Sequence, residues 1–431
     1  MRAACDAGAT EAEATMSIGD RFGCEARRDD ITKLEQSRAR SLSVRVFVGK
    51  KRGGWTTSDL GPNAIVTAAQ RAVAAAAYVD DDPFSGLPDR AAPPVDENLG
   101  LWNDDVPARD VAAKMDDARE MERLVRARDP RIELSNGSRV DDVRSVVALA
   151  NSWGFRGAYR STTASRATHP IARDGEHKRI ASYGSAARSY ASLESSETVA
   201  ATAVERAIAM CGARKPKTMT VPVIFERDVA ASVLGDLFSA LSAANVAVGN
   251  SFLGDRIGER IGSDLATFVD DGRLHGALGT SPFDSEGTPT QTTVVLDHGR
   301  LLTFLYDTYY ARKLGATTTA NASGGGIGPN TFYLRPGDQT LEALIRATPR
   351  GVLIVDTIGF ATELASGTYS RGARGIVIEG GELAYPIDEF TIASHFTSIL
   401  AGIDGVANDL RIDSSIVSPS FRVAEMTVSG T

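Results

Sequence analysis

The spacing of apolar residues changes along the chain, and each change marks an element. Residues 41–48, Ser-Leu-Ser-Val-Arg-Val-Phe-Val, alternate with period two and predict a strand. Residues 13–24 alternate less regularly and predict another. Over 63–78 the period becomes helical, with Ile65, Ala68, Ala72 and Ala75 or Ala76 on one face. A helix is predicted over 106–127. Strands at 131–135, 139–151, 154–167 and 178–190 then read as an antiparallel sheet, and 194–211 returns to a helix. From residue 219 a strand at 220–225 precedes a helix over 228–243. Asp228 is the expected N-cap of that helix. Its apolar stripe is Val229, Val233, Leu234, Leu237, Phe238 and Leu241. Short strands follow between Gly, Pro and Asp turns, at 292–296, 301–305, 331–334, 351–357, 375–379, 382–386 and 422–428. Short helices are predicted at 341–347 and 396–403.

Two stretches interrupt this pattern. Residues 80–94 are dense in Pro and Asp and read as a linker, and residues 212–217 mark a second boundary. The divisions are an N-terminal domain over 1–90, a middle α+β domain over 105–212 and a large β-rich C-terminal domain over 219–431. The predicted fold class is α+β, with mixed helices and antiparallel sheets. No fixed-period repeat suggests a solenoid.

Composition narrows the functional classes. At 431 residues the chain can bury a large core without disulfides. Its 42% hydrophobic and 24% charged residues are those of a globular chain, not a disordered one. A net charge of −8 gives no basic footprint for nucleic acid. Cys5, Cys24 and Cys211 form neither a disulfide framework nor a C-x-x-C metal pair. The first thirteen residues have no apolar core and carry early acids, against a targeting peptide. No apolar run approaches the roughly 18 residues of a membrane span. A cytoplasmic protein is expected.

Side-chain chemistry gives few strong signals. The five histidines, among them His298, contain no pair at helical zinc spacing. G-x-S-x-G is absent. The run Ser323, Gly324, Gly325, Gly326 suggests a dinucleotide-binding loop, but Pro329 and a strand-like segment follow where a helix would have to open. A flexible or partner-contacting loop is expected instead. Asp284 and Glu286 stand two apart, so in an extended segment both would face one way as an acid/base pair. The competing reading is an acidic hairpin corner.

Taken in order, several motifs resemble those of the TldD/PmbA family, the modulator-of-gyrase family. They are Val44-Arg-Val-Phe-Val with Thr56-Thr-Ser-Asp-Leu, Phe283-Asp-Ser-Glu-Gly-Thr-Pro, Tyr306-Asp307, Ala311-Arg-Lys-Leu-Gly315 and Leu334-Arg-Pro-Gly337. Gly351-Val-Leu-Ile-Val355, Ser366-Gly-Thr-Tyr-Ser370, Glu379-Gly-Gly-Glu-Leu-Ala-Tyr-Pro386 and Met426-Thr-Val-Ser-Gly430 continue the series. The family usually has a fuller N-terminal helix than this start. The resemblance implies one half of a heterodimeric metalloprotease acting on unfolded or extended peptides. In the family's catalytic branch, H-E-x-x-x-H on a helix and a later cysteine complete a zinc site. Here Gly235, Asp236 and Ala240 fall where His, Glu and His would stand, and residues 411–419 contain no cysteine. The resemblance is therefore closer to the non-catalytic PmbA/TldE branch. It implies no catalytic residue, metal or cofactor on this chain, with zinc on a TldD-type partner.

Three functions follow. The first is a non-catalytic subunit pairing with a TldD-type catalytic chain, or with itself, and handling peptide substrate. Asp284, Glu286, Ser323, Gly324, Gly325 and Gly326 are then candidates for the channel or interface. The second is an independent hydrolase using Asp284, Glu286 and Asp236, with His298. The third is a protein-binding module of the gyrase-modulator kind. None calls for nucleic acid or membrane as partner.

Overall fold

A computed structural model describes residues 1–89, 98–359 and 362–430. Part of the linker expected at 80–94 lies outside the described residues. A short helix α1 (Arg2–Asp6) leads into three antiparallel strands, β1 (Glu11–Arg27), β2 (Asp30–Val48) and β3 (Lys51–Thr57), and a helix α2 (Pro62–Ala76). After α3 (Asp105–Ala108) and α4 (Val111–Arg128) come β4 (Ile132–Asn151), β5 (Arg156–Asp174), β6 (His177–Ile180), β7 (Tyr183–Ala187) and α5 (Ser196–Ala209). The stretch expected as one strand at 178–190 is thus two short ones.

These strands form one sheet in the order β3-β2-β1-β4-β5-β6, with β7 also on β5. Strand β1 pairs with β4 from Glu13↔Asn151 to Ala26↔Ser138, so one sheet runs across the first two sequence blocks. Alternation then assigns its two faces. Leu42, Val44 and Val46 pack on Ala68, Ala69 and Ala72 of α2. Phe22, Cys24 and Val140 pack on Ala118 of α4. Ile65 of α2 stays 39% exposed, because the contact is made by the alanines together with Val73. The positions between, Glu13, Thr15, Ser43, Arg45 and Leu149, point to the opposite face and meet the C-terminal part of the chain.

The C-terminal part begins with β8 (Met219–Phe225), α6 (Arg227–Leu241) and α7 (Ala243–Ala247), then β9 (Phe268–Asp271), β10 (Thr292–Asp297) and β11 (Arg300–Leu301). Next come α8 (Thr308–Leu314), β12 (Ala322–Ser323), β13 (Gly326–Ile327), β14 (Phe332–Leu334), α9 (Leu341–Arg346), β15 (Arg350–Ile358), β16 (Thr362–Glu363) and β17 (Thr368–Glu379). The chain ends with β18 (Glu382–His395), α10 (Phe396–Ala401), β19 (Ile403–Val406), β20 (Ile416–Val417) and β21 (Phe421–Ser429). The pairings β15–β8–β21–β18–β17 return to β15, so five strands close into a ring. A second sheet runs β11-β10-β9-β14-β20.

Helix α6 touches strands of both sheets. Its stripe of Val229, Val233, Leu234, Leu237, Phe238 and Leu241 is buried with Phe225, Phe268, Phe332 and Val352 in the largest core. Each such side chain contributes about 1.5–3 kcal/mol by leaving water. The cap of α6 is Glu226, whose carboxylate accepts from the Asp228 N–H at 3.0 Å, two residues earlier than the sequence suggested. Among the described residues no helix is long and apolar enough to cross a membrane. The architecture is α+β, with its β-rich part at the C-terminal end.

Candidate functional site

The candidate residues gather at two places. The first is the outer stripe of α6. Ser232, Gly235, Asp236 and Ser239 are half-buried there, while Ala240 lies wholly in the core. Beside Gly235 there is open space, with no atom within 4 Å of where a Cβ would stand. Asp236 is not open to a ligand in the same way. Its Oδ2 accepts from Arg371 Nη2 of β17 at 2.6 Å and from Thr362 Oγ1 of β16 at 2.7 Å. The guanidinium already supplies a fixed positive charge to this carboxylate. A metal does not fit these residues, since Gly235 and Ala240 offer no donor atom and Asp236 is spent on Arg371. Among the described residues no three His, Cys, Asp or Glu side chains are grouped to hold a metal ion.

Arg371 and Ser232 border a cleft of about 1470 Å³ between the α5–β7 region and the C-terminal part. Its upper wall carries a charged latch. Tyr183 Oη accepts from Arg227 Nη2 at 2.7 Å and from Arg411 Nη1 at 2.5 Å, and donates to Glu194. Burial pushes the Tyr183 hydroxyl above its usual range.

The second place lies over the polar face of the first sheet. Three adjoining cavities of about 540, 340 and 230 Å³ share Ser285 as a lining residue. Asp284, Glu286, Ser323, Gly324, Gly325 and Gly326 all border them. The two acids do not act as a pair. Asp284 Oδ1 accepts from the N–H groups of Glu286 and Thr288, both at 2.9 Å, and Oδ2 from that of Ala322 at 3.2 Å. It closes its own turn and ties that turn to β12. Glu286 points elsewhere, to Arg45 at 3.1 Å and to the Thr308 N–H at 3.0 Å. Arg45 reaches Glu13 with its other nitrogen at 3.1 Å, so one buried guanidinium joins the sheet to the 283–289 turn. Phe283 adds an apolar anchor, with its ring centroid 5.2 Å from Phe155 and 5.4 Å from Tyr159.

Burial pushes the Asp284 carboxyl up to about 7, with the charge of Glu286 acting in the same direction. Asp270, wholly buried, is pushed up to about 6 for the same first reason. It accepts from Asn321 Nδ2, Asn330 N and Asn330 Nδ2 at 2.7–2.9 Å and so clamps both ends of the glycine segment. That segment is not a loose loop. β12 and β13 pair as Ala322↔Ile327 and Ser323↔Gly326, leaving a two-residue turn. Gly324 and Gly325 take φ of +58° and +103°, values that suit glycine in such a turn.

The groups proposed for an independent hydrolase do not meet. His298 lies at the β10–β11 turn, where its Nδ1 is 2.8 Å from the Asp264 carbonyl oxygen. Among the described residues no hydrogen bond or ion pair joins Asp236 or His298 to Asp284 or Glu286. Sequence reasoning missed Glu13, Arg45, Asp270 and Arg371 as members of these sites. For Arg45 and Glu13 the alternation along each strand was visible, but the pairing that sets them opposite each other was not. For Asp270 and Arg371 there was no signal, since their partners are 51 to 135 residues away.

Comparison with known proteins adds three matched domains. Residues 12–76 match the PmbA/TldA metallopeptidase domain 1, residues 104–210 its central domain and residues 218–430 its C-terminal domain. The "Metalloprotease PmbA homolog" of Haemophilus influenzae is 30% identical over 434 residues, covering 99% of this chain and 94% of the relative. The "Metalloprotease PmbA" of Escherichia coli O157:H7 is 30% identical over 421 residues, covering 97% and 92%. A "Metalloprotease TldD homolog" of Buchnera aphidicola is 25% identical over 205 residues, 42% of each chain. TldE from Thermococcus kodakarensis superposes with a TM-score of 0.91 over 100% of this chain and 98% of that one, at 20% identity, a likeness of fold.

Proposed function

The chain belongs to the PmbA/TldD family of metallopeptidases, and from that premise we propose that it is the family's non-catalytic, TldE-like subunit. It pairs with a TldD-type chain that carries the zinc, and shares in holding extended peptide substrates. One observation carries this reading. On the helix that the resemblance matches to the family's zinc helix, Asp236 is bound to Arg371, and Gly235 and Ala240 have no side-chain donor atoms. No step of peptide hydrolysis is assigned to this chain. Self-association through the same surfaces is the alternative assembly, since related subunits often keep one interface.

An independent hydrolase has less support. Asp284 is consumed by three backbone N–H groups and Glu286 by Arg45, so neither is free to move a proton on a substrate.

Metal content and peptidase activity of the purified chain, alone and mixed with a TldD-type partner, test the proposal. Zinc and activity should appear only in the mixture. Stoichiometric zinc or peptide cleavage by the chain alone would overturn it.

A further inference from the structure

The cavity of about 340 Å³ beside the glycine hairpin gathers residues from three of the sequence motifs. Val44-Arg-Val-Phe-Val brings Arg45 and Phe47, Phe283-Asp-Ser-Glu-Gly-Thr-Pro brings Ser285 and Glu286, and Tyr306-Asp307 brings Asp307. Four carboxylates border the space, those of Asp80, Asp82, Glu286 and Asp307, against two guanidinia, those of Arg45 and Arg52. Several of these charges are engaged. Glu286 is held by Arg45 and by the Thr308 N–H. Asp82 accepts from the Tyr309 hydroxyl at 2.7 Å and from the Phe84 N–H at 3.0 Å. Lys50 is turned to the Ser85 carbonyl oxygen at 2.9 Å.

Asp307 is only half engaged. Its Oδ1 caps α8, accepting from the Tyr310 N–H at 2.8 Å. Its Oδ2 accepts from nothing among the described residues, although Asp307 is only 6% exposed and borders the cavity. Burial pushes the Asp307 carboxyl above its usual range, with the charge of Glu286 acting in the same direction. A buried carboxylate oxygen without a partner carries a desolvation cost that a cation in the cavity would offset. The chain does not bring that cation into contact. Arg52 is exposed, with its Nη2 3.6 Å from where a Cβ on Gly325 would stand, and it makes no hydrogen bond or ion pair among the described residues.

The walls select the kind of cation. The rings of Tyr309 and Tyr310 meet edge to face with centroids 4.9 Å apart, and Phe47 adds an apolar surface. Among the described residues no three His, Cys, Asp or Glu side chains are grouped to hold a metal ion. Aromatic walls around one open carboxylate oxygen suit an ammonium on a short apolar stem. We propose that this cavity binds a small organic amine, its ammonium donating to Asp307 Oδ2 and its stem lying beside Tyr309 and Tyr310. The site needs no partner chain, so it stands apart from the two-subunit reading.

The test uses the full chain alone, with n-pentylamine as the probe and n-pentanol as its neutral counterpart, followed by titration calorimetry at low salt. Pentylamine should bind and pentanol should not. Asp307→Asn keeps an acceptor for the Tyr310 N–H, so α8 stays capped. It should weaken binding about ten- to a hundred-fold, the range of a hydrogen bond between charged groups. Arg52→Gln removes a like charge from the rim and should tighten binding about two- to five-fold. In the wild-type chain, nuclear Overhauser effects should join the pentyl methylenes to the rings of Tyr309 and Tyr310, a readout that does not depend on any variant folding. No binding of pentylamine, equal binding of pentanol, or an affinity indifferent to Asp307→Asn would overturn the proposal. Binding of N-acetyl-lysine methylamide more than tenfold tighter than pentylamine would overturn the assignment to a free amine.

Discussion

Replacing Arg45 with Met would remove the guanidinium that bridges Glu13 and Glu286 and leave two buried carboxylates facing each other. The three side chains are 17%, 5% and 7% exposed, and each carboxylate sits 3.1 Å from a guanidinium nitrogen. Breaking a buried ion pair by removing one partner costs about 3–5 kcal/mol, because the remaining charge stays desolvated. Even with Arg45 present, burial holds the Glu13 carboxyl above its usual range. Without Arg45 the Glu13 carboxyl rises further. Its folded-state pKa then exceeds the unfolded value of about 4.3. Between those limits the folded state binds more protons, so stability increases as pH falls. The loss relative to wild type should be about 3 kcal/mol or more at pH 8 and clearly smaller at pH 5. Urea unfolding followed by tryptophan fluorescence measures this, with Trp55 of β3 close to the lock. Adding Glu13→Gln and Glu286→Gln should return most of the stability. A loss below about 1 kcal/mol at pH 8, or an equal loss at both pH values, would refute the argument.

Other consequences follow from single side chains. Asp284 and Asp270, held up at about 7 and about 6, should make the wild-type chain more stable as pH drops from 8 toward 5, and calorimetry across that range should show it. Gly53→Ala places a Cβ 2.1 Å from the Ala72 carbonyl oxygen and 2.8 Å from the Ala76 nitrogen, prising β3 from α2. It should cost about 3 kcal/mol in denaturant titration, whereas Gly54→Ala, whose nearest contact is an ordinary 3.6 Å, should stay within about 0.5 kcal/mol. Burial pushes the Cys24 thiol up to about 11, so iodoacetamide at pH 8 should modify exposed Cys5 and leave Cys24 untouched until denaturant is added, as read by mass spectrometry.

The elements were legible where local pattern and packing agree. The stripe of α6 was readable because all six of its predicted positions enter one core. The strand at 41–48 was readable because Val44 and Val46 face α2 while Ser43 and Arg45 face away. What was not legible is which strands pair. No local signal says that β1 lies between β2 and β4, joining residues 13 and 151. Nor does any signal close the ring through β15–β17. The break at Ala181–Ser182 was missed because β6 and β7 both pair with β5 and their alternation runs through the interruption.

The candidate sites divide along the same line. Asp284 and Glu286 were picked out by spacing, and spacing put them near each other, but hydrogen bonds decided what each one does. A carboxylate in a tight turn satisfies the nearest N–H groups first, and Asp284 takes three of them. Glu286 then answers a charge from a strand 241 residues away in sequence. The glycine run was read as flexible because glycine removes restraint from the unfolded chain. In the folded chain the same glycines supply the two positive-φ positions of a hairpin whose ends are held by Asp270. The α6 positions are the reverse case. Sequence said only what Gly235 and Ala240 lack. It took the fold to bring Arg371 to Asp236, and that contact separates an empty metal position from one already filled by a permanent charge. A carboxylate left alone on that half-buried stripe would carry a desolvation cost. The guanidinium offsets it without any ion from solution. Helix α6 therefore keeps its place between the two sheets, and Ser232 of its outer stripe still borders the cleft.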